Sequence, residues 1–360
     1  MKKVLVTPLD WGLGHATRCV PVINELLNDD CEVMIGGSGD SLTLLKLEFP
    51  QLRFFSLPSY APAYQSSGAM ALKIALQIPK FLVAIRGEHK RLQQIIKAEG
   101  IDLVISDHRY GCWSPMIPSV FITHQYVILP PQGYLWTAGL VNRVHQRMIR
   151  RFSMCWIPDL PGEANLAGIL SGHDALKNDK FVCYLGYLSR FEAPRPSVKQ
   201  FDVVCLLSGP EPQRSVIERQ LVSQLVVSGL KYFVVRGLPS NHGEPMENSV
   251  NFAQGDALES ILSAADVVIA RSGYSTVMDL ARLGKKAIFI PTPGQPEQEY
   301  LAQRLMKNQI AYTSGQQNFN FAAAWDASAG YRGFQPTPGS ASLLSDAIRR
   351  VFMLNGNRNK

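Results

Sequence analysis

Residues 266–291 read DVVIARSGYSTVMDLARLGKKAIFIP. A β-branched run ends in a turn of small residues, a helical pattern starts near Ser275, and a second β-branched run follows. Strand, helix and strand in that order are the repeating unit of a parallel sheet covered by crossover helices. The same alternation extends upstream through FDVVCLLSG, a helix over about 213–228, KYFVVRG, VNFAQ and a helix around LESILSAA. It is present in the first half as well, where KVLVTPL, CEVMIGG, LRFFSLP, IDLVISD, SVFITHQ, MCWIPD and FVCYLGYL read as strands. The alternation pauses at RFEAPRPSVKQ, residues 190–200, whose prolines and polar residues read as a linker. The chain is therefore expected to be α/β, with two Rossmann-like doubly wound domains, 1–189 and 201–338, followed by a helix and frayed tail over 339–360. Folds of this kind bind ligands at the carboxyl ends of their strands, here in a cleft across which the domains would face each other.

A length of 360 residues suits two domains of ordinary size. A hydrophobic share of 46% with 18% charged residues is that of a globular protein, and no apolar run reaches the roughly 18 residues of a membrane span. The apolar part of MKKVLVTPLDW is too short for a signal peptide, so a cytoplasmic location is expected. Cys19, Cys31, Cys112, Cys155, Cys183 and Cys205 show neither paired nor metal-ligand spacing and read as buried free thiols. The long amphipathic pattern from Ala69 to Ala98 should be kinked or divided at Pro79. No assignment is made for the aromatic, turn-rich segment 314–340.

The net charge of +7 is concentrated in the first half, with 21 Lys/Arg against 16 Asp/Glu in residues 1–200 and 15 against 13 thereafter. No acidic residue lies between Asp107 and Asp159, whereas Arg109, Arg143, Arg147, Arg150 and Arg151 do. Such a field favours an anionic partner. Nucleic acid is not expected, because the aromatics are not interleaved with the basic residues. LVNRVHQRMIRRF and AMALKIALQIPKFLVAI could lie peripherally on an anionic membrane at its inner face, or could be ordinary helices covering the sheet.

Near the N-terminus, WGLGHATR sets Gly12 and Gly14 before His15 at a helix start. Thr17 stands where a dinucleotide fingerprint needs its third glycine, and no acid ends the second strand. The glycines let backbone approach a ligand, and His15 is either a base near neutral pH or a plain helix-start residue. Asp107, ending the fourth strand, could orient His15 and stabilise its imidazolium, or serve as a turn or capping aspartate. In the second half the N–H groups of Gly273, Tyr274, Ser275 and Thr276 would point at an anion, and Asp279, one turn in, suits a vicinal diol such as a ribose. The same residues would also satisfy a helix N-cap with a first-turn acid.

The block ARSGYSTVMDLARLGKKAIFIPTPGQPEQEYLAQRL resembles the donor-binding region of GT-B glycosyltransferases, particularly bacterial enzymes allied to the peptidoglycan N-acetylglucosaminyltransferase. GLGHATR is similar to that group's glycine loop and histidine, LLSGPEPQR to the first loop of its second domain, and FITHQ to a strand-end motif facing the acceptor cleft. The resemblance implies an acceptor-binding first domain, with His124 at the acceptor cleft, and a second domain that binds a nucleotide diphosphate sugar. It implies that Ser208, Gly209, Ser272, Gly273, Ser275 and Thr276 meet the diphosphate, with a positive charge from Arg271. Asp279 would take the ribose, where a glutamate is more usual, and Gln298 and Glu299 the sugar hydroxyls. The implied reaction moves the sugar, UDP-linked by expectation, to an acceptor hydroxyl on a lipid or polysaccharide precursor. It proceeds by inverting displacement with His15 as base and Asp107 in support, and it needs neither metal nor other cofactor, because helix N–H groups stabilise the leaving diphosphate. Nucleotide-sugar hydrolases of related fold carry a similar GxGHxxR element, here Gly12, Gly14, His15 and Arg18, so hydrolysis is one alternative. Binding of a sugar nucleotide without turnover is the other.

Overall fold

The computed structural model describes residues 1–60, 77–172, 176, 179–191, 197–238, 244, 246–335 and 340–356. Residues 61–76, which include the start of the helical pattern expected from Ala69, 192–196 of the expected linker and the tail 357–360 lie outside the described residues. The chain divides into two compact units, Met1–Ser189 with Gly339–Lys360, and Arg190–Pro338.

The first unit is built on β1 (Lys3–Pro8), β2 (Glu32–Gly37), β3 (Arg53–Ser56), β4 (Leu103–Asp107), β5 (Ser119–Ile122), β6 (Met154–Ile157) and β7 (Val182–Tyr184). They form one sheet in the order β3-β2-β1-β4-β5-β6-β7, with every pair parallel. β4, β5 and β6 are buried at every residue, as strands covered on both faces must be, and apart from Ser106, Asp107 and Ser119 they are apolar. Helix α1 (Leu13–Asn28) buries Ala16, Cys19, Val20, Ile23 and Leu26, a stripe of helical period packed on β1 and β2. Helix α2 (Gly39–Glu48) and helix α3 (Ile78–Glu99) follow. Pro79 lies in the first turn of α3, where its missing N–H costs no hydrogen bond, and the part of the expected helix before Gln77 lies outside the described residues. Helix α4 is Ala138–Ile149.

The second unit contains β8 (Phe201–Leu206), α5 (Gln213–Leu225), β9 (Tyr232–Val235), β10 (Ser249–Val250), α6 (Gly255–Ser263), β11 (Ala265–Ala270), α7 (Tyr274–Arg282), β12 (Lys286–Phe289), α8 (Pro296–Lys307), β13 (Tyr312–Thr313) and α9 (Phe321–Ser328). Its sheet has the order β10-β9-β8-β11-β12-β13, again all parallel. VNFAQ contributes less strand than its composition suggests: β10 ends at Val250, and only the hydrogen bonds of the Arg236 and Leu238 N–H groups to the Val250 and Asn251 carbonyls carry the pairing further. The unassigned segment holds α9, which Asn320 caps by accepting from the Ala323 N–H at 2.9 Å. The last helix, α10 (Ser340–Gly356), returns to the first unit and sets Leu344, Ala347, Ile348 and Val351 into the core beside α1. All six cysteines are free and buried.

Candidate active site

Three adjacent strands of the first unit, β1, β4 and β5, deliver one cluster at their carboxyl edge. Pro8 is in register with Asp107, and Asp107 with Ile122. The chain after β1 turns at Gly12, whose φ of 86° and ψ of 161° are accessible to glycine alone, and among the described residues nothing beyond its chain neighbours stands within 4 Å of where its Cβ would lie. His15 follows in the first turn of α1, and its Nδ1 lies 2.8 Å from Asp107 Oδ1. Arg18, one helical turn further and therefore on the same face, donates from Nε to Asp107 Oδ2 at 2.7 Å and from its terminal nitrogen to Oδ1. Its other terminal nitrogen is 2.7 Å from His124 Nδ1, beyond the end of β5.

His108 completes the cluster. Its φ of 59° is unusual for a residue with a Cβ and brings the ring to Asp107 Oδ1 at 3.3 Å, while Thr123 Oγ1 lies 3.1 Å from its Nε2. The rings of His15 and His108 are 5.1 Å apart, and those of His108 and His124 5.2 Å. Burial raises the Asp107 pKa, but the charge of Arg18, the electrostatic pull of the His15 ring and the hydrogen bonds from His108 and His15 prevail and hold it well below the carboxylate range. Burial pushes His108 well below the usual histidine value despite the opposing pull of Asp107, so this ring is neutral. His15, Asp107 and His108 stand close enough to hold a metal ion, yet the Arg18 guanidinium spans both Asp107 oxygens and its charge opposes a cation there.

A second buried network supports the loops of this site. Arg109 donates to the Pro8 carbonyl at 2.7 Å, the Pro58 carbonyl at 2.9 Å, Glu88 at 2.7 Å and Ser38 at 2.7 Å. Glu88 also accepts from the Tyr60 hydroxyl and the Gly111 N–H. One fully buried guanidinium thus ties the segments before Gly12 and after Asp107 to α3, a role that composition alone did not reveal.

In the second unit the loops after β8, β11 and β12, which are neighbours in the sheet, come together. Gly209 has φ 105°, and a Cβ there would lie 3.7 Å from Thr292 Oγ1. Gly273 caps α7 with open space where its Cβ would lie, leaving the helix N-terminus approachable. Ser208 and Gly209 are exposed, and Ser275 and Thr276 half-buried. Several expected ligand side chains have partners of their own. Ser272 is buried and donates to the Gln298 carbonyl at 2.7 Å, binding the β11 loop to α8. Gln298 accepts from the Thr292 N–H at 2.8 Å and donates to Gln295, while Glu299 accepts from the Gly294 N–H at 2.9 Å. Arg271 makes its hydrogen bonds to neutral acceptors, the carbonyls of Ile290, Pro291 and Gln213 and the side chain of Gln316. Burial lowers its pKa to about 10. Asp279 pairs with Arg190. Thr292 was not singled out from the sequence; its buried hydroxyl has no hydrogen-bond partner among the described residues.

Residues 234–322 match the Glycosyltransferase family 28 C-terminal domain. A Methanosarcina mazei protein named an uncharacterized glycosyltransferase is 26% identical over 323 residues, covering 82% of this chain and 81% of that protein. The UDP-N-acetylglucosamine–N-acetylmuramyl-(pentapeptide) pyrophosphoryl-undecaprenol N-acetylglucosamine transferase of Shouchella clausii is 23% identical over 330 residues, covering 88% and 87%. Among solved structures, the glycosyltransferase SnogD from Streptomyces nogalater matches with a TM-score of 0.65 at 15% identity, over 97% of this chain and 99% of that one. MurG of Acinetobacter baumannii matches with a TM-score of 0.56 at 15% identity, over 98% and 94%. The chain is thus a glycosyltransferase of the GT-B fold that carries a Glycosyltransferase family 28 C-terminal domain at residues 234–322.

Proposed function

We propose that the protein moves a sugar from a nucleotide diphosphate sugar to an acceptor hydroxyl by inverting displacement. The observation that carries this reading is His15. Its Nδ1 is held by a charged, buried Asp107, and among the described residues no hydrogen bond occupies its Nε2. A carboxylate at 2.8 Å draws the ring proton to Nδ1 and leaves the Nε2 lone pair to take the proton of an incoming hydroxyl, after which Asp107 stabilises the imidazolium. In the second unit the backbone N–H groups of Gly273, Ser275 and Thr276 would receive the departing diphosphate, joined by Ser208 and Gly209, and the helix charge would offset the negative charge that develops. Arg271 would add positive potential through its buried charge. The engagement of Ser272, Gln298 and Glu299 gives their side chains the task of shaping the loop, with backbone groups as the ligands. The helix terminus and guanidinium supply the positive charge of the mechanism, so it is written without a metal ion.

A UDP-sugar is the first donor to test, since the Shouchella relative is named for one. That name also motivates a lipid-linked acceptor. On α4 of the first unit, Leu140, Arg143, Val144 and Arg147 are exposed on one face, next to Leu135 and Trp136, the latter 83% exposed. Apolar and arginine side chains mixed on an open helix face suit an anionic bilayer surface. The purified protein should be screened against UDP-, GDP- and dTDP-sugars, following nucleotide release and thermal shift with and without a lipid-linked acceptor. Release that requires the acceptor supports transfer, and equal release without one would assign the protein to hydrolysis. A thermal shift without release under either condition would leave a binding protein. Sedimentation with vesicles tests the surface, and pelleting with neither anionic nor neutral lipid would remove it.

A further inference from the structure

Arg18 enters the sequence reading only as the last residue of the GxGHxxR element, yet it is 2% exposed and within hydrogen-bond reach of Asp107, His124 and His15. Its terminal nitrogen stands 2.9 Å from His15 Nδ1, which is also 2.8 Å from Asp107 Oδ1. Nδ1 cannot accept from the guanidinium and donate to the carboxylate at once. The guanidinium nitrogen already donates to Asp107 Oδ1, whereas the carboxylate has only lone pairs to turn toward Nδ1. A bare Nδ1 lone pair facing a carboxylate oxygen at this distance would also be repelled. The proton of His15 therefore belongs on Nδ1, pointing at Asp107, and the guanidinium serves Asp107.

His124 is placed in the opposite sense. At 2.7 Å from a guanidinium nitrogen, its Nδ1 meets a group that has only hydrogens to offer. Nδ1 must accept, and the proton of the neutral ring must be on Nε2. His108, bonded between Asp107 and Thr123, is the neutral spacer between the two rings.

We propose that Arg18 is a positioning residue that fixes His15 and His124 as opposite tautomers, giving the first unit one imidazole that accepts at Nε2 and one that donates from Nε2. This rests on the reading of His15 as the base, and it deepens that reading.

The test is long-range nitrogen–proton NMR of the full-length protein labelled at histidine, with His15→Gln and His124→Gln assigning the two rings. The wild type should show His15 protonated at Nδ1 alone and His124 at Nε2 alone. Finding His124 protonated at Nδ1, or carrying both protons at neutral pH, would overturn the proposal without any variant being needed. Arg18→Met and Arg18→Lys should each release His124 into an exchanging mixture of tautomers while Asp107 keeps His15 at Nδ1. A single unchanged His124 tautomer in either folded variant would equally sink it. In turnover, Arg18→Lys should lower kcat on the order of 10²-fold with little change in donor KM, because it misaligns a reacting group without touching the donor. A change confined to KM would contradict a positioning role. The NMR needs no substrate, so the two readings fail separately. Tautomers as stated with full turnover in His15→Gln would remove the base, whereas lost turnover with the wrong tautomers would remove only the role of Arg18.

Discussion

Arg190 donates to one carboxylate oxygen of Asp279, from Nε at 3.1 Å and from a terminal nitrogen at 3.0 Å, and the Asp279 side chain is only 4% exposed. The acid expected to meet a ribose is therefore already oriented by an arginine from the start of the second unit. If the carboxylate also takes ribose hydroxyls, Arg190→Ala should weaken UDP binding about tenfold, since it loses a charge-assisted bond that aims the acceptor. Calorimetric titration of wild type, Arg190→Ala and Asp279→Asn with UDP checks this. Equal affinities in all three would make the pair purely structural.

His15→Gln should reduce turnover by roughly 10²- to 10⁴-fold, the range for loss of a positioned general base. Donor affinity should be retained, because the diphosphate is assigned to backbone groups of the other unit. Single-turnover assays with saturating donor separate the two quantities.

Asp107→Asn should be costly to folding as well as to turnover. It leaves the Arg18 guanidinium buried without its counter-ion, a loss of about 3–5 kcal/mol when one partner of a buried pair is removed. Urea titration would register a lower midpoint, and a midpoint equal to that of wild type would show that the guanidinium has found another partner.

His145 is buried between the Tyr110 hydroxyl and the Gln125 carbonyl, each 2.8 Å from a ring nitrogen, and burial lowers its pKa to about 4. Its unfolded value is about 6.5. The unfolded chain therefore takes up this proton first as pH falls. The contribution of His145 to stability is complete above about pH 6.5 and declines as pH drops toward 4, by up to roughly 3 kcal/mol. Asp159, raised by burial to about 6, acts in the opposite sense over part of the same range. The check is consequently a difference: the gap in unfolding free energy between wild type and His145→Gln should shrink between pH 7 and pH 4.5, and a constant gap would contradict the assignment.

Ile348 lies fully buried on α10, with Leu344 and Val351 on the same side of the helix. Ile348→Ala should cost about 2–5 kcal/mol, with the first unit affected. Near-zero loss in chemical denaturation would mean that α10 contributes little to that core.

Strand and helix order in both halves is legible in the sequence alone, because parallel strands buried on both faces are dominated by apolar and β-branched residues, as KVLVT, LVIS, VVCLL and VVIA are. Asp107 and His15 could be paired on paper for the same reason: a parallel sheet brings the ends of its strands to one edge. The short strand at Tyr312–Thr313 was not legible, since two residues carry no periodicity. The capped helix from Phe321 had a signal, Asn320 before FAAAW, that the surrounding glycines and aromatics obscured.

The local pattern of apolar residues, glycines and turn residues thus determined the architecture and the identity of the residues at the two sheet edges. Which of those side chains meets which was decided by tertiary structure alone. Arg18 finds Asp107 and His124 some 89 and 106 residues away, and Asp279 finds Arg190 89 residues upstream. Periodicity records the face on which a side chain lies. The partner that a buried charge acquires depends on a desolvation cost that only the folded chain imposes.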